Sequence, residues 1–140
     1  MGDSDYEAQK GAARANRSFY AAFEELDIGA MTALWEDDDG VQCIHPGSEV
    51  LLGRRRVIGS WAAIFEHTDS IRVELSDLQI QVRGETAWAT MIERIRASSG
   101  GEDHESDMAA TNAFVRTEDG WKMVLHHASP VQRRFFPEGL

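Results

Sequence analysis

No other stretch constrains this chain as tightly as Phe114-Val-Arg-Thr-Glu-Asp-Gly-Trp-Lys-Met-Val-Leu-His-His-Ala-Ser129. It reads as two long strands joined by a turn from Thr117 to Gly120, where Asp119-Gly120 supplies a residue that tolerates positive φ. Alternation puts Trp121, Met123, Leu125, His127 and Ser129 on one face of the second strand. Lys122, Val124, His126 and Ala128 take the other. A lone hairpin cannot bury its apolar side, so further strands and a covering layer must come from upstream.

The upstream residues supply both. Ala8, Ala12, Ala15, Phe19, Phe23 and Leu26 recur at three- and four-residue steps and predict a long first helix. Asp27 is placed to cap a short second helix, Gly29 to Trp35. Val41 to His45 reads as a strand stopped by Pro46-Gly47, with a short return strand from Glu49 to Leu52. Val57, Ile58, Trp61, Ile64 and Phe65 mark a third helix that ends near His67. In the next strand the alternation of Ile71, Val73 and Leu75 changes parity before Ile80 and Val82, which predicts a bulge at Ser76-Asp77. Strands from Thr86 to Ala97 and from Glu105 to Arg116 lead into the closing hairpin.

The order ααββαββββ implies an α+β fold in which a cone-shaped, curved antiparallel sheet wraps the first helix. With 140 residues we expect one domain, its core over about 5–130 and a tail over 131–140 in which Phe135 and Phe136 pack on the sheet or on a second subunit. The formal net charge of −10 argues against nucleic acid, which draws on clustered Lys and Arg. Arg54-Arg55-Arg56 reads as a solvated helix start, and Glu36-Asp37-Asp38-Asp39 as a solvated loop without the spacing of a calcium site. No apolar run is long enough to span a membrane. The single Cys43 suits a reducing compartment, and Met-Gly-Asp-Ser-Asp lacks a secretory signal, so a cytoplasmic location is expected.

Counting outward from the turn sets Phe114 opposite Met123, Asn112 opposite Leu125 and Ala110 opposite His127, all on one sheet face. One strand back, Trp88, Thr90, Ile92 and Arg94 are assigned to the same face. A bent sheet closed over the first helix then leaves an apolar cone with a few converging polar groups, the usual composition of a small-molecule site.

Ala33-Leu-Trp-Glu-Asp-Asp, His45-Pro-Gly, Gly53-Arg with Trp61 and Ile64-Phe65, and Asp119-Gly-Trp-Lys-Met-Val-Leu-His-His-Ala-Ser129 together resemble the nuclear transport factor 2-like superfamily, in particular its SnoaL-like and ketosteroid-isomerase-like members. The resemblance spans roughly residues 8–130. The closing strand is also similar to the association domain of calcium/calmodulin-dependent protein kinase. By the isomerase resemblance, the catalytic base falls on His45, with an ungapped match at Cys43. The oxyanion-hole tyrosine falls on Phe19, with Tyr20 one residue out of register, and the oxyanion-hole acid on Asn112. That set argues against steroid isomerisation by the family's mechanism. By the association-domain resemblance, pocket arginines fall on Asn112 and near Thr90, and neither is kept.

His45 reads either as a general base fixed beside Pro46 or as a hydrogen-bonded histidine at a strand end. His127 reads as an acid, a base or a ligand donor, or else as a buried structural histidine. Phe19, Phe23, Trp61, Trp88, Thr90, Asn112 and Phe114 are the expected ligand-binding set. His126 and His127 point to opposite faces, so no metal site is expected, and no cofactor is called for. The expected function is binding of a small hydrophobic or aromatic compound, with acid/base chemistry of isomerase, dehydratase or hydrolase type on His45 and His127. The alternative is a non-enzymatic association module, pairing with a second copy through Ala113, Val115 and Val124 on the outer sheet face.

Overall fold

The computed structural model describes residues 3–131. The contacts expected of Phe135 and Phe136 lie outside the described residues. Helix α1 (Asp3–Glu25) is long because its apolar positions recur at helical spacing, and it buries Ala8, Ala12, Ala15, Phe19, Ala22 and Phe23 on one stripe. Asn16 and Tyr20 lie on that buried stripe too. Helix α2 (Ile28–Leu34) is capped as expected: the Asp27 carboxylate accepts from the Ala30 N–H at 3.0 Å.

Strands β1 (Gln42–Ile44) and β2 (Leu51–Leu52) precede helix α3 (Arg54–Glu66), which buries Val57, Trp61 and Phe65. Four long strands complete the chain: β3 (Ser70–Arg83), β4 (Thr86–Ser99), β5 (Glu102–Thr117) and β6 (Gly120–Pro130). The strands form one curved, open sheet in the order β2-β1-β6-β5-β4-β3. The sheet is mixed, because β1 adds to the free edge of β6 in parallel while every other pair is antiparallel. At the opposite edge, the Glu24 carboxylate of α1 accepts from the Val73 N–H at 2.8 Å, occupying a backbone donor on an outermost strand.

Two irregularities set the sheet's shape. The predicted one is present: the β3–β4 register shifts between Ser76 and Gln79, and Asp77 adopts φ 56°. The other was not anticipated. In the β5–β6 hairpin, Arg116 pairs with Trp121 and Phe114 with Met123 as counted from the turn, but Ala113 pairs with Leu125. Val124 is therefore an extra residue, and from that point every side chain of β6 exchanges faces. Leu125 and His127 turn outward, whereas His126 and Ala128 are buried.

Strand β4 also reverses the expected parity. Ala87, Ala89, Met91 and Glu93 face the helix, while Trp88, Thr90 and Arg94 are exposed on the outer face. Ile92 lies between Met91 and Glu93 and is half-buried. The larger apolar side chains at Trp88 and Ile92 favoured the other assignment. The small Ala87 and Ala89 are the buried residues and the large Trp88 is the exposed one, so size alone misreads which side is interior.

Candidate functional site

The interior between α1, α3 and the sheet holds a polar cluster inside an apolar shell. Asn16 and Tyr20 come from α1, Glu93 from β4, Asn112 from β5 and His126 from β6. Asn112 is 0%, Glu93 1% and His126 2% exposed. Groups buried this deeply require partners, and they have them. The Asn112 amide nitrogen donates to Asn16 Oδ1 at 2.9 Å and to the Tyr20 hydroxyl at 3.1 Å. Tyr20 passes its own proton toward Glu93 Oε2 at 2.5 Å. The Met91 sulfur packs against the same groups, 3.3 Å from the Tyr20 hydroxyl oxygen and 3.8 Å from the Asn16 amide nitrogen.

Donor counting fixes the remaining protons. Both hydrogens of the Asn112 amide are used, so Asn112 Oδ1 must accept from His126, whose Nδ1 lies 2.6 Å away. Burial, reinforced by the charges of His45 and His127, pushes the His126 imidazole down to about 3. His126 is thus a neutral ring with its proton on Nδ1 and a bare Nε2. At the mouth of the site, Ser60 donates to the Val57 carbonyl at 2.6 Å and so accepts from His45 Nε2 at 2.8 Å. His45 therefore carries its proton on Nε2, leaving Nδ1 as the basic atom. Burial lowers its pKa from the ordinary value.

Glu93 is the unusual member. Burial raises its carboxyl to about 7, an effect the Tyr20 hydrogen bond partly offsets. No ion pair to Lys or Arg reaches it among the described residues. Burial and the adjacent Glu93 charge raise the Tyr20 pKa, so its hydroxyl stays protonated. Burial also lifts the Cys43 thiol to about 12, which makes it a poor nucleophile despite lying 3.6 Å from His45 Nε2.

A cavity of about 240 Å³ opens beside this cluster, lined by Phe23, His45, Trp61, Ile71, Glu93 and His126 together with Pro46, Ile64, Thr68, Ile95, Ala97 and Ala128. Trp61 packs edge-on against Phe23 at 4.9 Å and His45 at 4.9 Å between ring centres. Among the described residues its buried indole N–H meets no acceptor at hydrogen-bonding geometry, although it lies close enough to the Cys43 sulfur to favour the thiolate slightly.

Of the residues singled out from the sequence, His45, Phe23 and Trp61 line this cavity. Asn112 stands behind its wall as the hub of the hydrogen bonds, and Phe19 and Phe114 are core residues, 0% and 2% exposed. His127, Trp88 and Thr90 lie on the outer sheet face, away from this cavity, and not on the inner face expected of them. His127 and Thr90 flank a separate outer-face groove with Asp77, Thr111 and Ser129. Trp88 lies on that outer face beneath Arg83, whose guanidinium carbon is 5.8 Å from the ring centre. The bulge at Val124 moved His127 out, and the β4 parity moved the other two. Glu93 and Asn16 were not singled out from the sequence, Tyr20 entered only as a match one residue out of register, and His126 was assigned to the opposite face from His127. A readable signal existed for two of them, since Asn16 and Tyr20 follow Ala12 at four-residue steps on the helix stripe. Among the described residues, no group of three or more His, Cys, Asp or Glu is arranged to hold a metal ion.

Comparison with known proteins agrees with this architecture. The profile of the SnoaL-like domain matches residues 13–133. A proposed dehydratase of the nuclear transport factor 2-like family from Streptomyces avermitilis is 39% identical in a crystal structure, with TM-score 0.85 over 94% of this chain and 99% of that one. A proposed calcium/calmodulin-dependent protein kinase type II association domain from Thiobacillus denitrificans is 36% identical, with TM-score 0.72 over 84% and 93%. The F-box protein SKIP8 of Arabidopsis thaliana is 27% identical over 89% of this chain, which spans about half (51%) of that relative's length.

Proposed function

Taking as premise that the chain belongs to the SnoaL-like domain family, we propose that it binds a small hydrophobic or aromatic compound in the cavity beside α3 and carries out acid/base chemistry of isomerase, dehydratase or hydrolase type on it. The observation that carries this reading is the pairing of an aromatic wall with His45, whose tautomer leaves a basic Nδ1 uncommitted among the described residues. Such a histidine abstracts a proton from an activated carbon or water, provided the substrate sits within hydrogen-bond reach. The cavity is smaller than the roughly 300–1,000 Å³ of drug-sized sites, which favours a compound of one ring. The relationship to the Streptomyces avermitilis protein, described as a proposed dehydratase, supports the same class. Screening a panel of one-ring aldehydes, ketones and alcohols by ligand-observed NMR tests it. Binding to the parent protein that is lost in Trp61→Ala and retained without turnover in His45→Ala is the expected result; identical behaviour of all three overturns the reading.

A second reading concerns assembly, and we propose it on a separate observation. Trp88 is 38% exposed on the outer sheet face, with the half-buried Ala113, Val115 and Leu125 also on that face. A second copy of the chain packed there would remove this apolar surface from water. Light scattering that reports a dimer for the parent and a monomer for Trp88→Glu supports it; a monomeric parent at micromolar concentration ends it.

A further inference from the structure

Resting on the cavity reading above, we infer that Glu93 presents an uncharged O–H to the cavity and makes the site selective for compounds with an acceptor oxygen, above all carbonyls, and against carboxylates. Four observations converge on this. Glu93 is one of the residues lining the cavity and is only 1% exposed, which keeps it out of bulk solvent. Only Oε2 is engaged, by Tyr20, which leaves Oε1 without a protein partner among the described residues. Among the described residues no Lys or Arg lines the cavity, so none of them compensates a negative charge there, whether on Glu93 or on a ligand. Behind the carboxyl, Tyr20 accepts from the Asn112 amide and is placed to donate to Oε2, the arrangement in which Oε1 carries the carboxyl proton. A ligand carboxylate would bring a second negative charge into a site where even one is disfavoured. A carbonyl oxygen would accept the proton that Glu93 already holds.

The groups facing Glu93 sort cleanly by element. Tyr20 on α1 stays protonated, and His45 after β1 and His126 on β6 have pKa values below the ordinary 6.5. Asn112 on β5 and Trp61 on α3 do not titrate. Cys43 on β1, beside His45, ionises only at about 12, so among the described residues the change of charge expected between about pH 6.5 and about pH 10 is that of Glu93, at about 7.

Acetophenone, benzoate and benzylamine are matched probes of one ring and three charges. The parent protein is expected to bind acetophenone and not benzoate, with acetophenone affinity falling about tenfold per pH unit above the Glu93 midpoint. Glu93→Gln keeps an N–H donor and should bind acetophenone with no pH dependence, whereas Glu93→Ala should lose it. Benzylamine as the best ligand, gaining affinity above the midpoint, would instead make Glu93 a carboxylate counter-ion and overturn the inference; so would benzoate binding as well as acetophenone. An infrared difference spectrum between parent and Glu93→Gln tests the proton without any ligand, and so stands apart from the cavity reading. A carboxylic acid C=O band that disappears near pH 7, with its midpoint moved upward in Tyr20→Phe, is expected. A midpoint in the range of ordinary glutamates, or one indifferent to Tyr20→Phe, overturns the inference.

Discussion

Asn112 and His126 stand directly opposite one another on β5 and β6, and the 2.6 Å contact between Asn112 Oδ1 and His126 Nδ1 commits the interior to a single arrangement of protons. Replacing Asn112 by Leu would keep the volume roughly but leave Asn16 Oδ1 and His126 Nδ1 unpaired in the core. A loss of about 3 kcal/mol is expected, since buried groups stripped of partners carry their full desolvation cost. Chemical denaturation of Asn112→Leu checks this, and a change within the error of the parent would show that the network is not held as described.

Glu93 should make the protein less stable in alkali. Its folded pKa, about 7, lies above the ordinary 4.5, so burial costs nothing extra while the carboxyl is protonated in both states. As pH rises from 4.5 through 7 the unfolded chain ionises first, and stability falls by an amount on the order of 3 kcal/mol. Glu93→Gln should remove that slope. Thermal melts at about pH 5 and about pH 8.5 should show the variant gaining on the parent only at the higher value.

His126 acts in the opposite direction. Its folded pKa of about 3 lies below the ordinary 6.5, so the stability tied to its neutral form is present above 6.5 and is lost as pH falls toward 3. His126→Asn retains a donor for Asn112 Oδ1 without a titrating ring. It should flatten the decline of stability between about pH 6 and about pH 4, measured by denaturant midpoints.

Helix α1 touches the hairpin at Gly11, where an added Cβ would lie 2.6 Å from Trp121 Cδ1 and 2.7 Å from its Nε1. Elsewhere in a helix Gly→Ala gains about 1 kcal/mol. Here the indole must move, and Gly11→Ala is expected to lose about 1–2 kcal/mol by overpacking. A rise in melting temperature would contradict the contact.

His127→Ala should be nearly silent. Its ring is exposed on the outer face, so a change within about 0.5 kcal/mol is expected, with the cavity's ligand preferences unaltered. Loss of binding would return His127 to the site.

The sequence by itself determined the element order, the Asp27 cap, the bulge at Asp77 and the pairing of Phe114 with Met123, because each rests on local periodicity or on turn chemistry within a few residues. It also singled out His45, Phe23 and Trp61, which the folded chain brings to one cavity. What only the tertiary structure decided was which side of β4 and of the last half of β6 is interior. One inserted residue, Val124, exchanges His127 for His126, and alternation carries no mark of where that insertion falls. Glu93 was illegible for a related reason. A lone acid in a strand looks solvated until the close approach of α1 makes its face the inside and Tyr20 supplies the partner.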